Sequence, residues 1–294
     1  MNDQASMIRP RHPSSCRRRV GAALVEMLVA FTLSALVAAG AALALTAAER
    51  YARRTQAQRD DQRVLHDAEL ILRSDLRPAA FDSLRALGDT AIDFFSVTGT
   101  SVTCVVAGAS MVFPPATVAS GDPFTAWRVA PDVGDAVFAW DTSAGGRWRL
   151  AIVDSIESRS DGAGCTPASG LVSAADSAAR TAVLLVHTDR VFASGVVVGA
   201  PVRIERRIRY VLVRGADRQW SLSLRRCTVA GTCSASQPAA GPLASAADSG
   251  FIVALAPGSR HFDITLRAPS HTGLATRAAL DLTIAVRNRG GSVP

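Results

Sequence analysis

One carboxylate interrupts the most apolar stretch of this chain. Residues 22–48 carry a single charged side chain, Glu26, with one glycine and no proline. A lone carboxylate in hydrocarbon costs on the order of a few kcal/mol, and charges in such places have a partner and a task. No side-chain cation lies within residues 22–48. Cutting the chain after Gly21 would create one, because Ala22 would then hold a free α-amine about one helical turn before Glu26. The chemistry that these residues suggest is a cleavage followed by an amine–carboxylate pair, within one subunit or between staggered neighbours.

Other reactive groups are sparse. Of five cysteines, Cys16 lies in a basic leader, and Cys104, Cys165, Cys227 and Cys233 lie beyond the apolar stretch. An even number there fits an oxidising compartment, although spacing alone leaves the pairing open. Cys227 and Cys233 are near enough to close a small loop containing Gly231, and Cys104 with Cys165 is the remaining candidate pair. No C-x-x-C motif or nearby His supports a metal site instead. Neither G-x-S-x-G, H-E-x-x-H, a phosphate-binding glycine loop nor a dinucleotide fingerprint occurs. The run SRHFD at 259–263 puts Ser, His and Asp together, but on an alternating strand, where His261 and Asp263 read as a solvated pair. Arg203, Arg207 and Arg209 form a ladder that reads as a solvated strand face, with arginine stems over apolar surface. No aromatic residues interleave with the ladder in sequence, as a nucleic-acid stacking platform would need.

Two kinds of element must position these groups. Residues 1–21 form a polar basic leader, rich in Ser and Pro. From residue 22 the pattern predicts one helix to residue 77, roughly 80 Å long, ended by Pro78. Its first half is apolar all round and long enough to span a bilayer of about 30 Å. An ordinary secretory signal has a shorter apolar core. Its second half is amphipathic: Leu65, Ala68, Leu72 and Leu76 share a face with Val64 and Ile71, opposite Arg63, Asp67 and Arg73.

Beyond Pro78 the period becomes two. In residues 201–227, Val202, Ile204, Ile208, Tyr210 and Leu212 point one way, and Arg203, Glu205, Arg207 and Arg209 the other. Arg206 breaks the apolar series and suggests a bulge or an edge. After the turn RGADRQ, Trp220, Leu222 and Leu224 continue as the second strand of a hairpin. Further strands are expected at 91–97, 101–106, 135–141, 147–154 and 182–188, with TSAGGR as a turn. Phe262, Ile264 and Leu266 mark another strand, and Leu280, Leu282, Ile284 and Val286 one more. Residues 157–180 and 234–249 read as surface loops. The expected class is α+β: a long N-terminal helix followed by a largely antiparallel β-sheet domain at 78–294.

The charge balance argues against a nucleic-acid partner. All 32 basic residues are arginine, and the formal net charge is +7. Residues 1–21 hold Arg9, Arg11, Arg17, Arg18 and Arg19 against Asp3, so more than half of the excess lies in the leader. That is where positive residues hold the cytoplasmic side of a membrane anchor.

At residues 17–45 the chain resembles the prepilin signal of type IV pilins and of the pseudopilins of type II secretion. In RRRVG/AALVEMLVAFTLSALV, a basic leader ends in Gly21, an apolar helix follows, and Glu26 falls at the fifth mature position. Ala22 stands where the family has a bulky residue, and the proline common in major pilins is missing from residues 22–48. The resemblance implies cleavage after Gly21 by a membrane prepilin peptidase and N-methylation of Ala22. It further implies pairing of Glu26 with a neighbouring subunit's N-terminus. The partners implied are that peptidase, other pilins or pseudopilins, and an inner-membrane assembly platform; no cofactor and no enzymatic activity are implied. The late hairpin, with Tyr210 on its first strand and Leu224, Arg225 and Arg226 on its second, is similar to J-type minor pseudopilins and W-type minor pilins. Glu26 argues against the tip-most pseudopilin, which usually lacks it. Alternatives are a filament-displayed adhesin or DNA-binding pilin and a signal-anchored periplasmic enzyme.

Overall fold

The computed structural model describes residues 20–79, 83–88, 90–143, 146–160, 164–192, 194–255, 261–270 and 277–285, with backbone only for 20–23 and 255. The predicted Ser259 and Val286 fall outside this set, as does Cys16. An α+β arrangement is present: helix α1 (Val20–Leu76) precedes a strand-rich region. The chain divides into two compact units, Met1–Gln56 and Ala57–Pro294. The division falls inside α1 and not at Pro78, because residues 57–76 bury a face against the sheets while the earlier part of the helix does not.

The strands are β1 (Arg85–Ala86), β2 (Ala91–Val102), β3 (Val105–Ala107), β4 (Ser110–Phe113), β5 (Ala126–Trp127), β6 (Ala136–Asp141) and β7 (Arg147–Arg159). After the short helix α2 (Ala174–Ala178) come β8 (Val183–Thr188), β9 (Pro201–Arg214), β10 (Trp220–Cys227), β11 (Gln237–Leu243), β12 (Phe251–Leu255), β13 (His261–Arg267) and β14 (Ala279–Ala285). Two expected loops hold regular structure. Within 157–180, β7 runs on to Arg159 and α2 is capped by Ser173, whose Oγ accepts from the Asp176 N–H. Within 234–249, β11 pairs with β10 despite containing Pro238 and Pro242, which suit an edge strand.

β9 organises the larger sheet. Along one side it pairs with β2 from end to end; the other side is shared, with β6 against residues 202–205 and β10 against residues 207–214. The sheet therefore forks at Arg206. The irregularity expected there lies instead on β2, where Thr98 is the extra residue between Val97 and Gly99. Gly99 is required, since a Cβ would fall 2.0 Å from the Trp127 ring. β9 itself keeps strict alternation, so Arg206 shares the face of Ile204 and Ile208.

That inner face carries two cores. Ile208, Tyr210 and Leu212 join Leu65, Ala68, Leu72 and Leu76 of α1, Ile92 and Phe94 of β2, and the buried face of the small β12-β13-β14 sheet, with Phe251, Phe262, Ile264 and Leu266. Val202 and Ile204 join Val137, Ala139, Ala151, Val153, Val186, Met111 and Phe113. β7 serves both edges of this second core, pairing β6 and then β8 across a bulge at Asp154. Each fully buried leucine on α1 contributes about 1.5–3 kcal/mol, which is what fixes residues 57–76 on the sheet.

Disulfides join Cys104 to Cys165 and Cys227 to Cys233. The first ties the β2–β3 junction to the segment before α2. The second closes a loop at the end of β10.

Candidate functional site

Three groups of residues have the chemistry to act, and each is placed by a different element. The first is the apolar half of α1. Leu24, Met27, Leu28, Phe31, Leu36, Val37 and Leu43 are each more than 60% exposed, so no internal core explains their apolarity. The helix is long and apolar enough to cross a membrane, with mean hydropathy 2.3 in its most apolar window. Glu26 is exposed near the start of this segment. Gly21 and Ala22 lie in the first helical turn, where backbone N–H groups have no intrahelical acceptor and unwinding costs least. Threonines within the segment satisfy themselves, Thr32 donating to the Val29 carbonyl and Thr46 to that of Leu43.

The second group is a polar seam between the two cores, where the C-terminal end of α1 meets β2 and β9. Tyr210 donates its hydroxyl to Asp75 Oδ2 at 2.7 Å. Arg128 donates to Asp75 Oδ1 at 2.9 Å, to the Ser74 carbonyl at 3.0 Å and to Ser96 Oγ at 2.9 Å. Ser96 Oγ in turn donates to the Asp75 carbonyl. A cation on the last carbonyls of a helix is favoured by the helix dipole. Burial, then the charge of Asp75, pushes the Tyr210 phenol well above its ordinary range, so it stays a donor. Next along the seam, Arg206 makes a bidentate pair with Asp135, both bonds at 2.7 Å, and donates to the Ala130 carbonyl. Arg206 and Asp135 are 6% and 4% exposed. Hydrogen bonding to Asp135 holds the guanidinium charge more firmly than usual.

The third group is the outer face of β9, expected to be solvated. It is half-buried instead. Arg207 donates to Asp93 through Nε and Nη2, the latter at 2.6 Å, and Arg209 Nη2 donates to the same carboxylate at 3.0 Å. Asp93 is 2% exposed. Arg203 approaches Glu205 at 2.6 Å and lies 5.2 Å from the ring centres of both Phe138 and Trp148. Aromatics do interleave with the ladder, but they come from β6 and β7, which is why the local sequence did not show them. The Cys227–Cys233 loop docks here, with Arg207 Nη1 donating to the Val229 carbonyl.

Sequence reasoning missed the seam, although one signal pointed to it: an arginine at an inward-facing position of a strand requires a buried acid. It also missed a chain across β4, β8 and β7, in which Ser110 Oγ lies 2.8 Å from His187 Nδ1 and His187 Nε2 3.5 Å from Glu157. Glu157 is committed to Arg159, which holds its carboxyl below the usual range. Grooves run along α1, one of about 460 Å³ lined by Val64, Asp67, Trp220 and Pro238 and another lined by Gln58, Asp61, His66 and Arg277. Neither borders Ser110. On β13, His261 and Asp263 are exposed, and Asp263 accepts from the Thr283 hydroxyl. Among the described residues no three of His, Cys, Asp or Glu gather as metal ligands.

No protein-family model, curated protein or solved structure matches the chain significantly.

Proposed function

We propose that this chain is a minor pilin or pseudopilin, a non-enzymatic subunit that assembles through α1 into a type IV pilus or a type II secretion pseudopilus. In this reading residues 1–21 are a cytoplasmic leader, the apolar half of α1 sits in the inner membrane, and the strand-rich region is periplasmic. A prepilin peptidase cuts after Gly21 and methylates the amine of Ala22. Glu26 then pairs with the N-terminus of a neighbouring subunit, which sets the axial step. Extraction by the inner-membrane assembly platform follows, with other minor subunits as partners in an initiating or tip complex.

The observation that carries the reading is the pairing of an exposed apolar half of α1 with one carboxylate, five positions after a glycine that ends a basic leader. A plain anchor has no use for Glu26, whereas a helix that must find another helix in hydrocarbon does. Two disulfides agree with a compartment outside the cytoplasm. The seam at Asp75 and Tyr210 locks the end of the packed helical segment to the sheet, so a pull on α1 would be delivered to the whole strand-rich unit.

The test is the intact mass of membrane-extracted protein made together with a prepilin peptidase. The expected species begins at N-methylated Ala22, and Glu26→Ala is expected to be processed yet not incorporated into filaments. A chain that keeps residues 1–21 beside an active peptidase overturns the reading.

A further inference from the structure

The outer face of β9 holds more positive charge than its carboxylates can use. Strand register aligns Arg85 of β1, Asp93 of β2, Arg209 of β9 and Arg225 of β10 as one row across four strands. Arg207 reaches the same carboxylate from the next position. The row with Arg207 thus contains four guanidinium groups and one carboxylate, and Asp93 already serves Arg207 and Arg209. The Arg225 side chain has no hydrogen-bond or ion-pair partner among the described residues. It stands directly opposite Arg209, and like charges directly opposite on paired strands destabilise a sheet unless something neutralises them.

Part of the unmet hydrogen-bonding capacity of this face lies at the same row. Arg209 Nε, Arg225 Nε and Ser236 Oγ are buried without a hydrogen-bond partner. Ser236 flanks Arg225, because Leu224 pairs with Gln237 and the Arg226 N–H donates to Ser234 Oγ. The row is also rigid. Asp93 clamps two of the arginines, and the disulfide loop fixes Arg207 through the Val229 carbonyl. At 25% exposure, Arg209 is held by Asp93 while part of its side chain stays in contact with solvent. Guanidinium groups held in this way match the oxygens of a tetrahedral or planar oxyanion.

We propose that Arg209 and Arg225, with Ser236 beside Arg225, form a binding site for a phosphate-class oxyanion on the outer face of the β2-β9-β10 sheet. The site reads one compact anionic group, not a polymer. Phe95, opposite Arg207 on the same face, is buried against Phe138, and Phe138 and Trp148 are occupied by Arg203, so these rings do not offer stacking surface to bases. The inference does not depend on pilus or secretion assembly and stands or falls by itself.

The experiment uses the full chain in detergent at low ionic strength, titrated with inorganic phosphate against chloride at matched ionic strength. Expected is a saturable rise in Tm with phosphate. Arg225→Ala is expected to weaken the apparent affinity about tenfold or more, with its Tm in chloride unchanged or higher, because a like-charge pair is relieved. Arg225→Lys retains the charge but loses the fork and is expected to fall between. Glycerol phosphate replaces inorganic phosphate in a second arm. A tighter response to it assigns a lipid headgroup as the source, and a tighter response to inorganic phosphate assigns the free ion. No saturable rise in either arm, or a rise that Arg225→Ala leaves intact, overturns the proposal.

Discussion

The two faces of β9 solve the same problem in opposite ways. Both carry arginine in a half-hydrophobic setting. On the inner face a single guanidinium, Arg206, lies between two apolar cores and is matched by one carboxylate in a bidentate pair. On the outer face three arginines share two buried carboxylates and keep part of their surface in water, and one of them, Arg203, leans on two aromatic rings. A charge with no access to solvent must be neutralised within the fold. A charge that keeps some access tolerates an incomplete match, and the surplus is left for a ligand. The inner face is therefore structural, while the outer face has recognition chemistry to spare.

Removing the inner carboxylate has the largest expected effect. Asp135→Ala leaves Arg206 buried and unpaired, with an expected loss of about 3–5 kcal/mol. Asp93→Ala on the outer face is expected to cost about 1–2 kcal/mol, because Arg207 and Arg209 can turn toward water. Chemical denaturation of the two variants in the same detergent measures both. Equal losses would mean that the faces do not differ as described.

Tyr210→Phe sharpens the inner side. It removes one hydroxyl from the Asp75 clamp and is expected to cost about 1–2 kcal/mol. Reduced hydrogen-exchange protection at the C-terminal turn of α1 should accompany that loss, and protection left unchanged there would show that Asp75 is held by Arg128 alone.

The smallest effect concerns Asp141, which continues the inner face at the end of β6. The Ser143 hydroxyl, then Arg149, holds its carboxyl at about 2. A folded pKa below the unfolded value means that the unfolded chain takes up the proton first. The stabilisation is therefore complete above the ordinary carboxylate range and fades as pH falls from about 4 to about 2. Asp141→Asn should flatten the pH dependence of Tm in that window, with the lower Tm near neutrality that loss of this stabilisation entails. Gly195 belongs to the same device, since a Cβ there would fall 1.9 Å from Asp141 Oδ1.

Much of this architecture was legible in the residues. The apolar run 22–48 and the spacing of Leu65, Ala68, Leu72 and Leu76 determined a helix with an exposed half and a packed half, since 3.6-residue periodicity is a local property. Alternation likewise determined β9, β10, β13 and β14 and placed Phe262, Ile264 and Leu266 inside. The candidate Gly21, Ala22 and Glu26 are equally local, because their chemistry depends only on position along one helix. Other features were decided by tertiary structure alone. β11 was hidden because prolines on an edge strand read as loop, and the packed end of α1 belongs to the sheet because burial, not helix continuity, sets the unit. Asp135, Phe138 and Trp148 reach β9, and Arg128 the end of α1, only through strand order and register, so no local pattern announced which acid Arg206 would meet or that Arg225 would stand opposite Arg209. Period and spacing are written along the chain; which charge meets which is set by the fork at β9, where strands remote in sequence become neighbours.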